Sequence, residues 1–168
     1  MTCTMGRDEI IRRILAREGG VAQVPGESFI TRWGQTPGWL EQFSLPIPTN
    51  IAEAADNYAA WLSQTRLDRV VLDTADDLAD ITIDFAVHAG HVPAIRLLQA
   101  ALGVAVDGIL GPVTETALRS ADRKGLARRM LAGRLEQIGG LISQRPDRYS
   151  RYALGWLRRV GEQVTHLE

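Results

Sequence analysis

The stretch Arg7 to Thr36 constrains this chain most: an amphipathic helix stops at two consecutive glycines and feeds a long polar loop. Ile10, Ile11, Ile14 and Leu15 recur at helical spacing, so one stripe faces a core. Asp8 with Arg12 and Glu9 with Arg13 form i,i+4 pairs of opposite charge on the outer face. Gly19 and Gly20 end the helix by supplying the left-handed backbone that other residues avoid. Glu18 falls on the inward stripe, beside the negative end of the helix dipole. Lost hydration and that dipole both favour the protonated carboxyl, which suits a general acid. The alternative, weighed equally, is a Glu18 that bends outward and pairs with Arg17 or a later arginine.

Length and charge narrow the class. A chain of 168 residues suits one domain, or a domain with a closely packed helical appendix. A hydrophobic content of 45% is ordinary for a protein with a real core. A net charge of −1 argues against a nucleic-acid partner, which usually meets a basic face. The single cysteine, Cys3, excludes an internal disulfide and a zinc site built on several thiolates. Charges at Arg7, Asp8, Glu9, Arg12 and Arg13 interrupt any signal-peptide core, and no apolar run approaches the roughly 20 residues that span a bilayer. The expectation is a soluble protein made in the cytoplasm without a signal peptide and without membrane insertion.

In chain order, residues 1–6 read as frayed and the first helix as 7–18. From 19 to 49, Pro25, Pro37, Pro46 and Pro48 block long helices, yet Phe29, Trp33, Trp39 and Phe43 are too many aromatics for a disordered linker. The segment reads as a folded lobe with a small β-hairpin, forming one wall of a cleft. Thr49 or Asn50 caps a helix to about Ser63, with Ile51, Ala55, Tyr58 and Leu62 on one face. Leu67 to Leu72 is read as a helical turn. A helix over 76–90 carries Leu78, Ile81, Phe85 and His88 inward, and Pro93 opens another to Leu102. Residues 103–112 form a compact turn, and Pro112 opens a helix to about Ser120. A helix over 122–143 uses Leu126, Met130, Leu135 and Ile138 for partial burial. Arg145-Pro146 breaks the chain, and Asp147 caps a last helix to about Val164. The predicted fold is mainly α and lysozyme-like, with the long loop or small hairpin after the first helix. The division is 1–75, a catalytic part, and 76–168, a helical part packed on it.

Phosphate-cradling glycine loops, HExxH, CxxC and GxSxG are absent, and the three histidines lack metal-ligand spacing with carboxylates. No cofactor and no metal is expected. His88 reads first as a hydrogen-bonded core histidine, and Trp61 and Trp156 as packing anchors. What remains is carboxylate chemistry: Glu18, Glu27 and Thr31 could together protonate a leaving oxygen and hold an attacking water.

Several segments carry a family resemblance. Glu18-Gly19-Gly20 and Thr31-Arg32-Trp33-Gly34-Gln35-Thr36 resemble the Glu-Gly-Gly-Tyr and Thr-Lys-Tyr-Gly-Ile-Thr segments of phage-type N-acetylmuramidases of glycoside hydrolase family 108. Asp84-Phe85-Ala86-Val87-His88-Ala89-Gly90 is similar to that family's Asp-Met-Ala-Val-Asn-His-Gly helix. Residues 94–99, 107–114, Arg145-Pro146 and 155–160 resemble segments of its C-terminal peptidoglycan-binding part. Val21 replaces the aromatic after Gly-Gly, Glu27 the usual aspartate and His88 the family asparagine.

The resemblance implies a muramidase that cuts the glycan between N-acetylmuramic acid and N-acetylglucosamine. Glu18 matches the proton donor. Glu27 and Thr31 fall nearest the residues that orient water, and Trp33, Trp39 and His88 are candidates to line the sugar cleft. Packing is the equal alternative for each of these last three. The expected partner is bacterial peptidoglycan, with phage tail or particle proteins as further candidates. The protein would act at the wall or periplasm through a holin, a secretion path or a virion. The rivals are a lytic transglycosylase and a non-catalytic wall-binding or structural component of a phage-like particle.

Overall fold

The computed structural model describes residues 2–23, 28–71 and 76–167. The chain divides into two compact units, Met1–Ala75 and Asp76–Glu168. Among the described residues the secondary structure is helical apart from one two-stranded sheet, the mainly α, lysozyme-like fold with a hairpin lobe that the sequence predicts.

The first unit opens with α1 (Thr2–Glu18), longer than expected because the helix extends back to Thr2. Extension of an existing helix fixes one residue per added bond and costs little. Ile10, Ile11, Ile14 and Leu15 are buried as their spacing requires. Glu9 pairs with Arg13 at 3.0 Å and also with Arg12, so the anticipated Asp8–Arg12 pair gives way to an i,i+3 contact. Asp8 lies instead 3.5 Å from Arg7.

After Gly19, at φ +70°, the chain turns into β1 (Val21–Gln23), which pairs antiparallel with β2 (Ile30–Arg32). Helix α2 (Pro37–Gln42) follows inside the region read as loop. Pro37 occupies its first turn and the Thr36 side chain accepts a hydrogen bond from the Trp39 amide, so proline starts this short helix rather than blocking it.

Helix α3 (Ile51–Gln64) is capped by Asn50, whose side chain accepts from the Glu53 amide, while Glu53 reaches back to the Thr49 amide at 2.7 Å. Its buried stripe runs through Ala54, Asn57, Tyr58, Trp61 and Leu62, whereas Ile51 is exposed. α3 packs on α1, and a 3₁₀ turn (Leu67–Val70) buries Leu67 and Val70 beneath it.

The second unit contains α4 (Asp77–Ala89), α5 (His91–Leu102), α6 (Pro112–Ser120), α7 (Arg123–Gln144) and α8 (Pro146–Thr165). α4 is capped by Asp76, and α8 starts with Pro146 at its first position, with Asp147 in the first turn rather than at the cap. α7 packs against α4, α5 and α8. Along α7 the inward positions follow the i,i+4 ladder of Leu126, Met130, Arg134 and Ile138. Leu135, expected inward, lies off that ladder and is exposed. Close helix approach accounts for Gly133: a Cβ there would stand 2.5 Å from Leu97 Cδ1 on α5.

A charged residue sits on the buried ladder because two partners meet it. Arg134 donates to Asp84 and to Gln163 Oε1, both at 2.8 Å. Arg159 donates to the other Asp84 oxygen at 2.9 Å. Asp84 is thus a buried carboxylate held by two guanidinium groups, and Arg134 also lies 5.2 Å from the Phe85 ring centre.

The compact turn before α6 has its own internal staple. The buried Gln99 side chain donates to Asp107 Oδ1 at 2.7 Å and to the Ile109 carbonyl at 3.0 Å, and accepts from the Gly108 amide at 2.8 Å. Among the described residues, no helix is long and apolar enough to cross a membrane.

Candidate functional site

Glu18 ends α1 half-buried, with the glycine pair immediately behind it. The hairpin then returns the chain to the same place. The Trp33 amide donates to the Gly20 carbonyl at 2.9 Å, directly behind the helix exit. Arg32 and Gln35 exchange backbone hydrogen bonds at 3.1 and 2.9 Å across Trp33-Gly34. Both central residues of this turn have positive φ, +50° and +79°, the hallmark of the tight I′ hairpin turn. Asparagine or glycine is the usual occupant of such a position; Trp33 is an uncommon one and carries local backbone strain.

The turn places Gly34 against the Glu18 side chain. A Cβ on Gly34 would stand 2.8 Å from both Cγ and Oε2 of Glu18, so only glycine permits this approach.

Helix α3 holds the turn from the other side. Tyr58 Oη donates to the Trp33 carbonyl at 2.8 Å. Gln35 Nε2 donates to the Ala54 carbonyl at 2.8 Å, and Gln35 Oε1 accepts from Asn57 Nδ2 at 2.8 Å. Asn57 also donates to the Pro46 carbonyl at 2.9 Å. Gln35, Asn57 and Tyr58 are all buried, where a hydrogen bond exchanged with no water is hard to replace. Sequence reading named Gly34 and Gln35 only within the matched segment Thr31 to Thr36 and missed both the clamp and the approach of Gly34 to Glu18. Their one visible signal was Trp33-Gly34 between two polar residues, a turn signature.

Thr31 lies opposite Ala22 in the hairpin register, and its hydroxyl donates to the Ala22 carbonyl at 3.0 Å. With its proton so placed, Thr31 meets a water through its lone pairs, as an acceptor. Glu27 lies outside the described residues.

Trp39 is the hub of an aromatic cluster, 5.5 Å from Phe43, 5.6 Å from Tyr58 and 5.7 Å from Trp61 between ring centres. His88 belongs to the second unit and is exposed, not inward: it closes α4 one turn beyond buried Asp84 and meets Trp156 edge-on at 6.0 Å. A recess of about 320 Å³ opens beside the hairpin, lined by Phe29, Ile30, Arg32, Gln35, Leu40 and Ile47 among others, and Glu18 does not line it. Among the described residues, no group of three or more His, Cys, Asp or Glu side chains could hold a metal ion.

The site thus consists of one half-buried carboxyl at the helix end, lying against a hairpin turn, with a threonine acceptor on the same hairpin. Such an arrangement can present a proton donor in one orientation to a ligand.

The chain resembles the solved structure of Brucella abortus SagA at 21% identity, with a TM-score of 0.72, over 98% of this chain and 94% of that one, so the two share a fold. No curated protein matches. Residues 93–161, inside the second unit, match the family described as "Predicted Peptidoglycan domain".

Proposed function

We propose that this protein is a peptidoglycan muramidase, cutting the bond between N-acetylmuramic acid and N-acetylglucosamine. The observation that carries the reading is the close approach of Gly34 to Glu18: a carboxyl at a helix end lies against a clamped turn. The resemblance of Glu18-Gly19-Gly20 and Thr31 to Thr36 to family 108 muramidases supports the assignment of the proton donor. The peptidoglycan match of residues 93–161 supports the substrate class.

In this reading Glu18 protonates the glycosidic oxygen while the leaving sugar departs, and a water attacks the anomeric carbon. Thr31 accepts a hydrogen bond from that water. Glu27 takes the water's proton, and Trp33 lines the cleft. Delivery to the wall is by a phage, a phage-like particle or a dedicated export path.

A second reading is a lytic transglycosylase, which needs a single general acid, a role that the placement of Glu18 serves equally well. The product masses separate the two. Hydrolysis adds water and leaves reducing ends, whereas the transglycosylase leaves 1,6-anhydro ends lighter by one water. Reducing ends support the muramidase, anhydro ends replace it, and intact glycan after prolonged incubation rejects both.

A further inference from the structure

One recess is lined wholly by residues of the second unit. It lies among α4, α7 and α8, encloses about 210 Å³, and is lined by Phe85, His88, Arg134, Gln137, Tyr149 and Trp156 together with aliphatic side chains. Tyr149, Tyr152 and Trp156 recur on α8 at helical spacing and form one aromatic stripe. Tyr152 stacks on Trp156 at 5.8 Å and 21°, and Tyr149 lies 5.9 Å away. With His88 edge-on, the Trp156 indole is fixed from several sides while remaining only half-buried.

The chemistry of the lining selects a ligand. Its one permanently charged side chain, Arg134, is buried and engaged with Asp84 and Gln163. The recess therefore offers little to ionic groups such as the carboxylates of a stem peptide. Its rim carries His88 and Gln137, both exposed and both able to exchange hydrogen bonds with hydroxyl and amide groups. A held aromatic plate beside a polar rim suits a ring with an apolar face and a hydroxylated, amidated edge. The volume lies below the roughly 300–1,000 Å³ of drug-sized sites, which limits the occupant to about one ring. Arg134, Gln137, Tyr149 and Trp156 of the lining fall in the stretch 93–161 matched to the predicted peptidoglycan domain, whereas Phe85 and His88 precede it.

We propose that this recess is a glycan subsite, seating a single N-acetylhexosamine ring of a peptidoglycan strand against Trp156. It rests on the peptidoglycan reading above and names the surface of the second unit that grips the strand.

The test uses the full chain carrying Glu18→Gln, so that the ligand is not cut. Binding is followed by calorimetry with an N-acetylglucosamine tetramer and with a free stem peptide, and by pelleting with intact sacculi. The tetramer binds, Trp156→Ala weakens it by about tenfold or more, and Trp156→Phe restores most of the affinity by keeping an aromatic face. The exposed rim variant Gln137→Ala, which the core does not need, weakens the tetramer severalfold and guards against misfolding as the cause. Unchanged tetramer affinity in both Trp156→Ala and Gln137→Ala, with sacculi still pelleting, overturns the subsite and leaves the peptidoglycan reading standing. Saturation by the stem peptide but not the tetramer also overturns it. Failure of the parent to pellet with sacculi removes the peptidoglycan reading and the subsite together.

Discussion

Gly34 rests on the carboxyl of Glu18, so closely that a single methyl group on Gly34 would stand 2.8 Å from Oε2. The close approach joins two segments that are separate in sequence, the end of α1 and the hairpin turn. Because Gly34 also has φ +79°, replacing it meets two obstacles at once.

Gly34→Ala is expected to displace Glu18 and to strain the turn by about 1–3 kcal/mol. Misplacement of a proton donor by about an ångström costs on the order of 10²-fold in rate. Sacculus clearing measured beside the melting temperature checks this: activity should fall far more than the folded fraction does.

Asn57→Ala removes the donor to both Gln35 Oε1 and the Pro46 carbonyl, leaving the buried Gln35 acceptor unsatisfied. The expected cost is about 2 kcal/mol. The double variant Gln35→Ala/Asn57→Ala should lose less than the sum of the two singles, because the two side chains share a bond. Denaturant titration of the four proteins measures the coupling, and additive losses would show that the clamp is not a unit.

Much of the fold was legible in particular residues. Gly19-Gly20 ends α1, Asn50 caps α3, Pro112 opens α6 and Arg145-Pro146 separates α7 from α8, each by local backbone chemistry. Glu18 stood out as a carboxyl in a helix terminus with an apolar stripe. The clamp was not legible, because Gln35 and Asn57 are 22 residues apart and meet only after α3 packs. Arg134 was hidden for a related reason: hydropathy favours Leu135 as the inward residue, and only the tertiary partners Asp84 and Gln163 make a buried guanidinium acceptable. His88 shares the helix face of Phe85 loosely enough that periodicity placed it inside, yet it falls in the last turn of α4, where the packed surface ends.

Trp39 touches Phe43, Tyr58 and Trp61, and its contribution to stability should be large. Trp39→Ala is expected to cost about 3 kcal/mol, roughly 10 °C in Tm, and Trp39→Phe much less. A Trp39→Ala protein that melts like the parent but binds glycan poorly would instead assign Trp39 to sugar contact.

Asp84 sets the acid limit of the second unit. Desolvation raises its pKa, but the hydrogen bond and charge of Arg159, with those of Arg134, outweigh this and hold the carboxyl below its usual range. The folded value is the lower one, so the stabilisation is complete above the unfolded value of about 4 and fades as the pH falls below it. Asp84→Asn leaves two guanidinium groups without their counter-charge and should cost about 3–5 kcal/mol at neutral pH. Its stability should also vary less than the parent's below about pH 4, which thermal melts across that range measure.

The central claim is that Glu18 donates the proton that breaks a peptidoglycan glycan bond. Turbidity of purified sacculi, followed with wild type and Glu18→Gln side by side, tests it most directly. The account predicts clearing by wild type alone, with Glu18→Gln folded and still pelleting with the sacculi. Equal clearing by the two proteins, or none by either while both pellet, would contradict it.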